Sequence, residues 1–183
     1  MKKIILMMLV VVLASCTGPQ QNPDFEKNVD LAKNYFATFV TEDIDATAAL
    51  ISEDVEWQGC FYGSPVMNKE EAVEYSKGWH AAMENISYTA ENYLPGVDPE
   101  TGLLNGSVRT YGTWTGTNTA SGKDFEILMY HYFTFNEDGK IINAGDFGDA
   151  TGLLMAVAPD VVEWKIYQFL KAPDGAFFFY FGT

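Results

Sequence analysis

The half of the chain after Asn85 is the most constraining part of the sequence. "FEILMYHYFTF" (125–135) and "KIINAGDFG" (140–148) are separated by Asn136-Glu137-Asp138-Gly139. Asp-Gly between two apolar, aromatic-rich runs is a strong hairpin signal, because glycine supplies the left-handed backbone that a tight turn requires. Two further β-rich runs precede it, "ISYTAENYLPGV" (86–97) and "LLNGSVRTYGTWTGTNT" (103–119). Asp-Pro, Thr-Gly and Ser-Gly pairs punctuate them. A four-strand antiparallel meander is the expected outcome. Gly112, Gly116 and Gly145 are expected to help such a sheet bend.

The residues before Asn85 are helical in pattern. Phe25, Val29, Ala32, Phe36 and Phe39 recur at helical spacing behind Asp24. "DIDATAALI" places Ile44, Ala48 and Ile51 on one face, with Asp43 or Asp45 as cap. "NKEEAVEYSKGWHAAM" opens on Asn68 and two early glutamates, with Ala72, Tyr75, Trp79 and Met83 as its stripe. "DVEWQGCFYGS" between them reads as extended. Three helices followed by a meander define an α+β domain.

The first residues are not expected to belong to that fold. "MKKIILMMLVVVLASC" has two lysines, then an apolar run too short for the ~20 residues a membrane helix needs. Leu13-Ala14-Ser15-Cys16 resembles the lipobox of bacterial lipoproteins, which implies cleavage before Cys16 and acylation of that residue. Residues 1–15 are therefore expected to be a signal peptide and 16–23 a tether. Two or more acyl chains hold a protein firmly on a membrane it does not cross. Thr17, rather than an aspartate, after the cysteine favours the outer membrane, facing the periplasm. With Lys2 and Lys3 removed, the 11 basic residues become 9 against 25 acidic ones, a net charge of −16. That balance excludes a nucleic-acid partner, whose phosphates need a basic patch. Cys60 would be the only cysteine left, and His80 and His131 have no zinc-type spacing, so neither a disulfide nor a metal site is expected. Nothing proposes a cofactor.

The order of motifs resembles the SnoaL-like group of the nuclear transport factor 2-like superfamily. The likeness rests on Gly112-Thr113-Trp114-Thr115-Gly116, on Gly122-Lys123, on Phe135 through Ile141, and on Asp149, Gly152, Leu153 and Leu154. It covers residues 24–157 and implies a cone: three N-terminal helices packed on a strongly curved antiparallel sheet, enclosing an apolar pocket. Members include cyclases, isomerases, dehydratases and proteins with no known chemistry. They often pair through the open sheet face, so a homodimer is an expectation here.

Strand alternation puts His131 on one face with Ile127, Met129, Phe133 and Phe135. It likewise groups Asp146 with Ala144 and Ile142. A histidine and an aspartate facing one apolar hollow are the ingredients of a proton-transfer site. Similarity to ketosteroid isomerases places Tyr35 at their carbonyl-polarising tyrosine and His131 at their oxyanion aspartate. Their proton-moving aspartate has no counterpart, because Glu56 and Trp57 stand there. The cyclase pattern instead implies Asp149 or Asp146 as the acid/base, with Trp114 where a histidine is frequent. Each candidate has a plainer reading: His131 as a satisfied polar residue of the sheet, and Asp149 as the cap of "ATGLLMAV". Trp57, Phe61, Tyr62, Trp79, Tyr88, Trp114 and Met129 are the expected aromatic and apolar pocket wall for a small apolar ligand. The expected activity is cofactor-free acid/base chemistry on a small hydrophobic carbonyl compound. The alternative is a non-catalytic ligand-binding or protein-interaction lipoprotein. Residues 158–183, with the apolar run "AFFFYF", are an extension that the resemblance does not cover.

Overall fold

The computed structural model describes residues 22–160. Cys16, the tether up to Gln21 and the extension beyond Asp160 lie outside the described residues. The order is α1 (Phe25–Val40), α2 (Ile44–Ala49), β1 (Ile51–Gln58), β2 (Val66–Met67), α3 (Lys69–Ala82), β3 (Met83–Val97), β4 (Leu104–Asn118), β5 (Asp124–Phe135), β6 (Ile141–Phe147) and α4 (Ala150–Val157). The strands form one curved sheet in the order β2-β1-β6-β5-β4-β3. β3 to β6 are the meander expected from the sequence. β1 joins it in parallel beside β6, and β2 adds a short antiparallel edge.

Local chemistry explains most boundaries. Asp43 accepts the Ala46 N–H and starts α2. Asn68 and Glu71 form a reciprocal capping box at α3, satisfying two donors that the first turn leaves free. Gly139 closes the β5–β6 turn at φ 73°. Two expectations fail. Ile51 does not continue α2 but begins β1, at 1% exposure, so the strand carries that apolar side chain into the core. Met83 likewise leaves the α3 stripe to begin β3.

Register shifts interrupt the ladders between Glu84 and Ser87, Ala90 and Asn92, Pro95 and Val97, and Thr134 and Phe135. Such bulges bend a strand and sharpen its twist. The last of them also corrects a face. Phe135 pairs with Ile141 and Phe133 with Ala144, so Ile141 enters the core in place of Ile142. Beyond the bulge the alternation resumes, and Ala144 and Asp146 face inward as expected. Gly112 has a different use from bending: a Cβ there would lie 2.3 Å from the Tyr88 hydroxyl, so the glycine admits that ring onto the concave face.

α1 fills the concave side. Phe25, Val29, Ala32, Tyr35 and Phe36 are buried against Val108, Phe133 and Trp57. Asn28 Nδ2 donates to the Gly106 carbonyl at 2.9 Å, tying the helix to β4. His80 on α3 hydrogen-bonds the Phe39 carbonyl at 3.0 Å and packs on the Phe39 ring. A carbonyl only accepts, so Nε2 carries the proton. Among the described residues, no helix is long and apolar enough to cross a membrane.

Candidate active site

β5 and β6 place His131 and Asp146 directly opposite each other as a cross-strand pair. Both are buried, at 4% and 8% exposure. His131 Nδ1 lies 2.7 Å from Asp146 Oδ1. Two tryptophans complete the chain. Trp114 Nε1 donates to His131 Nε2 at 2.9 Å, and Trp57 Nε1 donates to Asp146 Oδ2 at 3.1 Å.

The indoles fix the proton positions. An indole N–H can only donate, so His131 Nε2 must present its lone pair. The imidazole proton then sits on Nδ1 and is donated to Asp146. Asp146 therefore accepts two N–H bonds, one on each oxygen. A carboxylate has about four acceptor positions, so about two remain for a ligand. Among the described residues, no buried side-chain nitrogen or oxygen lacks a partner.

The pair forms one edge of an apolar cavity of about 60 Å³. α1 contributes Tyr35, Phe36 and Phe39 to its wall. α3 contributes Tyr75 and Trp79. The sheet contributes Met83, Ile86, Trp114, Phe125, Ile127 and Met129, and α4 contributes Leu153. Burial pushes the Tyr35 hydroxyl well above its ordinary pKa, and the charge of Asp146 pushes it further; Ser76 opposes both with a hydrogen bond. Tyr75 is raised by the same two causes, burial first. Both phenols are thus held as donors. Cys60 lies 2.9 Å from the Tyr75 hydroxyl, and burial raises its thiol from 9.0 to about 11.

Of the residues expected at the pocket, Tyr35, His131, Asp146, Trp79, Trp114 and Met129 line the cavity. Trp57 and Tyr88 stand behind the wall. Trp57 holds Asp146, and Tyr88 stacks on Phe36 with centroids 4.0 Å apart. Phe61 stacks on Trp79 at 5.6 Å without facing the cavity. Tyr62 is a correction: the tight turn from Phe61 to Ser64 projects it fully into solvent. Asp149 is not brought to the cavity either. It is exposed and caps α4 by accepting the Gly152 N–H at 2.9 Å. Trp114, standing where a histidine is frequent, supplies an N–H to His131. Tyr75 was visible only as part of an apolar helical stripe. Its burial and its pairing with Cys60 come from the packing of α3 on the 58–64 segment.

No three His, Cys, Asp or Glu side chains among the described residues come together as a metal site. The arrangement can hold and move a proton at Asp146, and donate a hydrogen bond from Tyr35.

A cone of helices over a curved sheet, with a polar pair inside an apolar hollow, defines a domain of the nuclear transport factor 2-like class. The SnoaL-like domain family matches residues 32–144, and the chain belongs to it. Several solved structures share the fold. A protein from Jannaschia sp. CCS1, provisionally assigned as a SnoaL-like polyketide cyclase, has a TM-score of 0.63 at 16% identity, covering 76% of this chain and 97% of its own. SalBIII, an epoxide hydrolase/cyclase-like enzyme of pyran ring formation in salinomycin, has a TM-score of 0.58 at 20% identity, covering 69% and 93%. A hypothetical protein with a ketosteroid isomerase-like fold from Catenulispora acidiphila, solved in complex with trimethylamine, has a TM-score of 0.58 at 14% identity, covering 70% and 92%. No curated protein matches the sequence.

Proposed function

We propose that this SnoaL-like domain catalyses cofactor-free proton transfer on a small hydrophobic carbonyl compound. The observation that carries the reading is the buried Trp114–His131–Asp146–Trp57 chain, with Asp146 and Tyr35 both lining one apolar cavity. Asp146 takes a proton from the carbon beside the carbonyl. The electron pair moves to the carbonyl oxygen, where the Tyr35 O–H stabilises it, and the proton returns to a different atom. His131 is a positioning residue: both its nitrogens are engaged, and it aims the Asp146 carboxylate. The cyclase-type neighbours are consistent with chemistry of this kind.

The test is exchange of carbon-bound hydrogen in D2O. The full chain, in detergent, is incubated with a panel of small ketones and followed by NMR. Enzyme-dependent exchange that disappears in Asp146→Asn supports the reading. Exchange that persists in the variant eliminates Asp146 as the base, and no exchange across the panel favours a non-catalytic module.

That second reading has its own support. Leu128, Tyr111 and Phe147 are exposed on the outer sheet face, beside the half-buried Tyr130 and Tyr132. This is the face proposed for a homodimer, and sedentary monomer behaviour in analytical ultracentrifugation would refute it. We also propose that Cys16 anchors the domain to the outer membrane, facing the periplasm, on the strength of the lipobox-like sequence. Labelling with a clickable fatty acid in a bacterial host, lost in Cys16→Ser, tests this.

A further inference from the structure

Among the described residues, the hydrogen bonds around His131 and Asp146 bring no cation to the carboxylate. A histidine beside an aspartate ordinarily has the option of becoming an imidazolium and neutralising it. Here that option is closed. A proton on His131 Nε2 would point at the Trp114 indole N–H, which sits 2.9 Å away and cannot accept. Among the described residues, the donors to Asp146 are two neutral N–H groups, from His131 and Trp57. Among the described residues, no lysine or arginine lines the cavity. The carboxylate charge instead reaches Tyr35, Tyr75 and Cys60, where it adds to burial in raising each of them. None of the three can supply a positive charge.

The walls have the complementary character. Tyr35, Phe36, Phe39, Tyr75, Trp79 and Trp114 surround the space with aromatic rings. Ring faces attract cations, and more strongly where water is excluded. At about 60 Å³ the cavity suits a compact group rather than an extended one. A small ammonium head with a few methyl groups fills that space. A neutral hydrocarbon of the same size gains only burial. An anion meets repulsion from Asp146 in a low dielectric, where charge–charge energies are largest.

We propose that the ligand of this cavity carries a small organic cation, a protonated or quaternary amine, which seats among these rings against Asp146. The inference rests on the ionised Asp146 of the proposed function and names the substrate class: a compact carbonyl compound with a cationic nitrogen. It does not require turnover.

The test uses tetramethylammonium, whose charge is permanent and which has no acidic carbonyl neighbour to exchange. Calorimetric titration of the full chain in detergent compares it with tert-butanol, a neutral molecule with the same branched shape and number of heavy atoms. Tetramethylammonium is expected to bind at least tenfold more tightly, and Asp146→Asn is expected to abolish that preference. Equal affinities in the wild-type chain overturn the proposal without recourse to any variant, as does failure of both probes to bind. A preference that survives in a folded Asp146→Asn chain overturns it too. The ketone exchange assay is independent of these outcomes. Cation binding without exchange would leave the ligand class standing and remove catalysis. Exchange on neutral ketones without cation binding would do the reverse.

Discussion

Asp146→Asn is nearly isosteric, yet the hydrogen-bond chain cannot accommodate it. Asp146 receives two donors, His131 Nδ1–H on one oxygen and Trp57 Nε1–H on the other. An asparagine offers one oxygen and one NH2 group. Whichever way the amide turns, its NH2 meets an N–H. His131 cannot resolve the conflict by moving its proton to Nε2, because Trp114 already donates there. One buried donor is left unsatisfied, at a cost of about 1–3 kcal/mol, while loss of the buried charge offsets part of it. The coupling with Trp57 isolates the conflict. In the wild-type chain, Trp57→Phe removes a hydrogen bond to a charged acceptor, worth about 1.5–3 kcal/mol. In the Asp146→Asn background, the same change removes the opposed donor and costs close to nothing beyond packing. A coupling energy of about 2 kcal/mol is therefore expected. Urea unfolding of the four proteins at pH 7, followed by circular dichroism, measures it. Additivity within about 0.5 kcal/mol, the range expected of independent sites, would refute the assigned proton positions.

Three further outcomes follow from the same structure. Tyr35→Phe removes the donor proposed for the carbonyl oxygen and is expected to lower exchange by about 10²-fold or more, with the fold retained by circular dichroism. Cys60 is raised from 9.0 to about 11, so the native state holds its proton where the unfolded chain releases it. Its contribution is fully present below pH 9 and is lost as pH rises from 9 towards 11. This amounts to about 2–3 kcal/mol at most, and urea midpoints at pH 8 and pH 11 should fall less in Cys60→Ser than in the wild-type chain. Gly112→Ala drives a methyl group into the Tyr88 ring, which stacks on Phe36 and packs against Trp114. A loss of about 2–4 kcal/mol is expected from overpacking and disturbed ring contacts. Tyr88→Ala in the same chain should recover part of it by making room for the methyl group.

The sequence by itself determined the elements whose signals are local. Hairpin turns depend on glycine at left-handed positions, and Gly102, Gly122 and Gly139 stand there at φ 70–73°. Helix starts depend on side chains reaching their own first turn, as Asp43 and Asn68 do. Alternation was enough to turn His131 and Asp146 inward, and the motif order was enough to place the chain in its family. Tertiary structure decided what those residues do. The pairing of β1 with β6 brings Trp57 to Asp146 across 89 positions of sequence, and no local pattern encodes that meeting. The extra residue Ile142, unpaired opposite the Thr134–Phe135 step, put Ile141 in the core in its place, because one extra residue shifts the alternation between its two sides. Tyr62 stands among the expected pocket-wall residues, but a tight turn sends it to solvent, and of the two readings of Asp149, acid/base or helix cap, the structure shows the cap. Trp114 had the sequence signature of plain wall. Only the register of β4 against β5 makes its N–H the group that fixes the His131 proton on Nδ1.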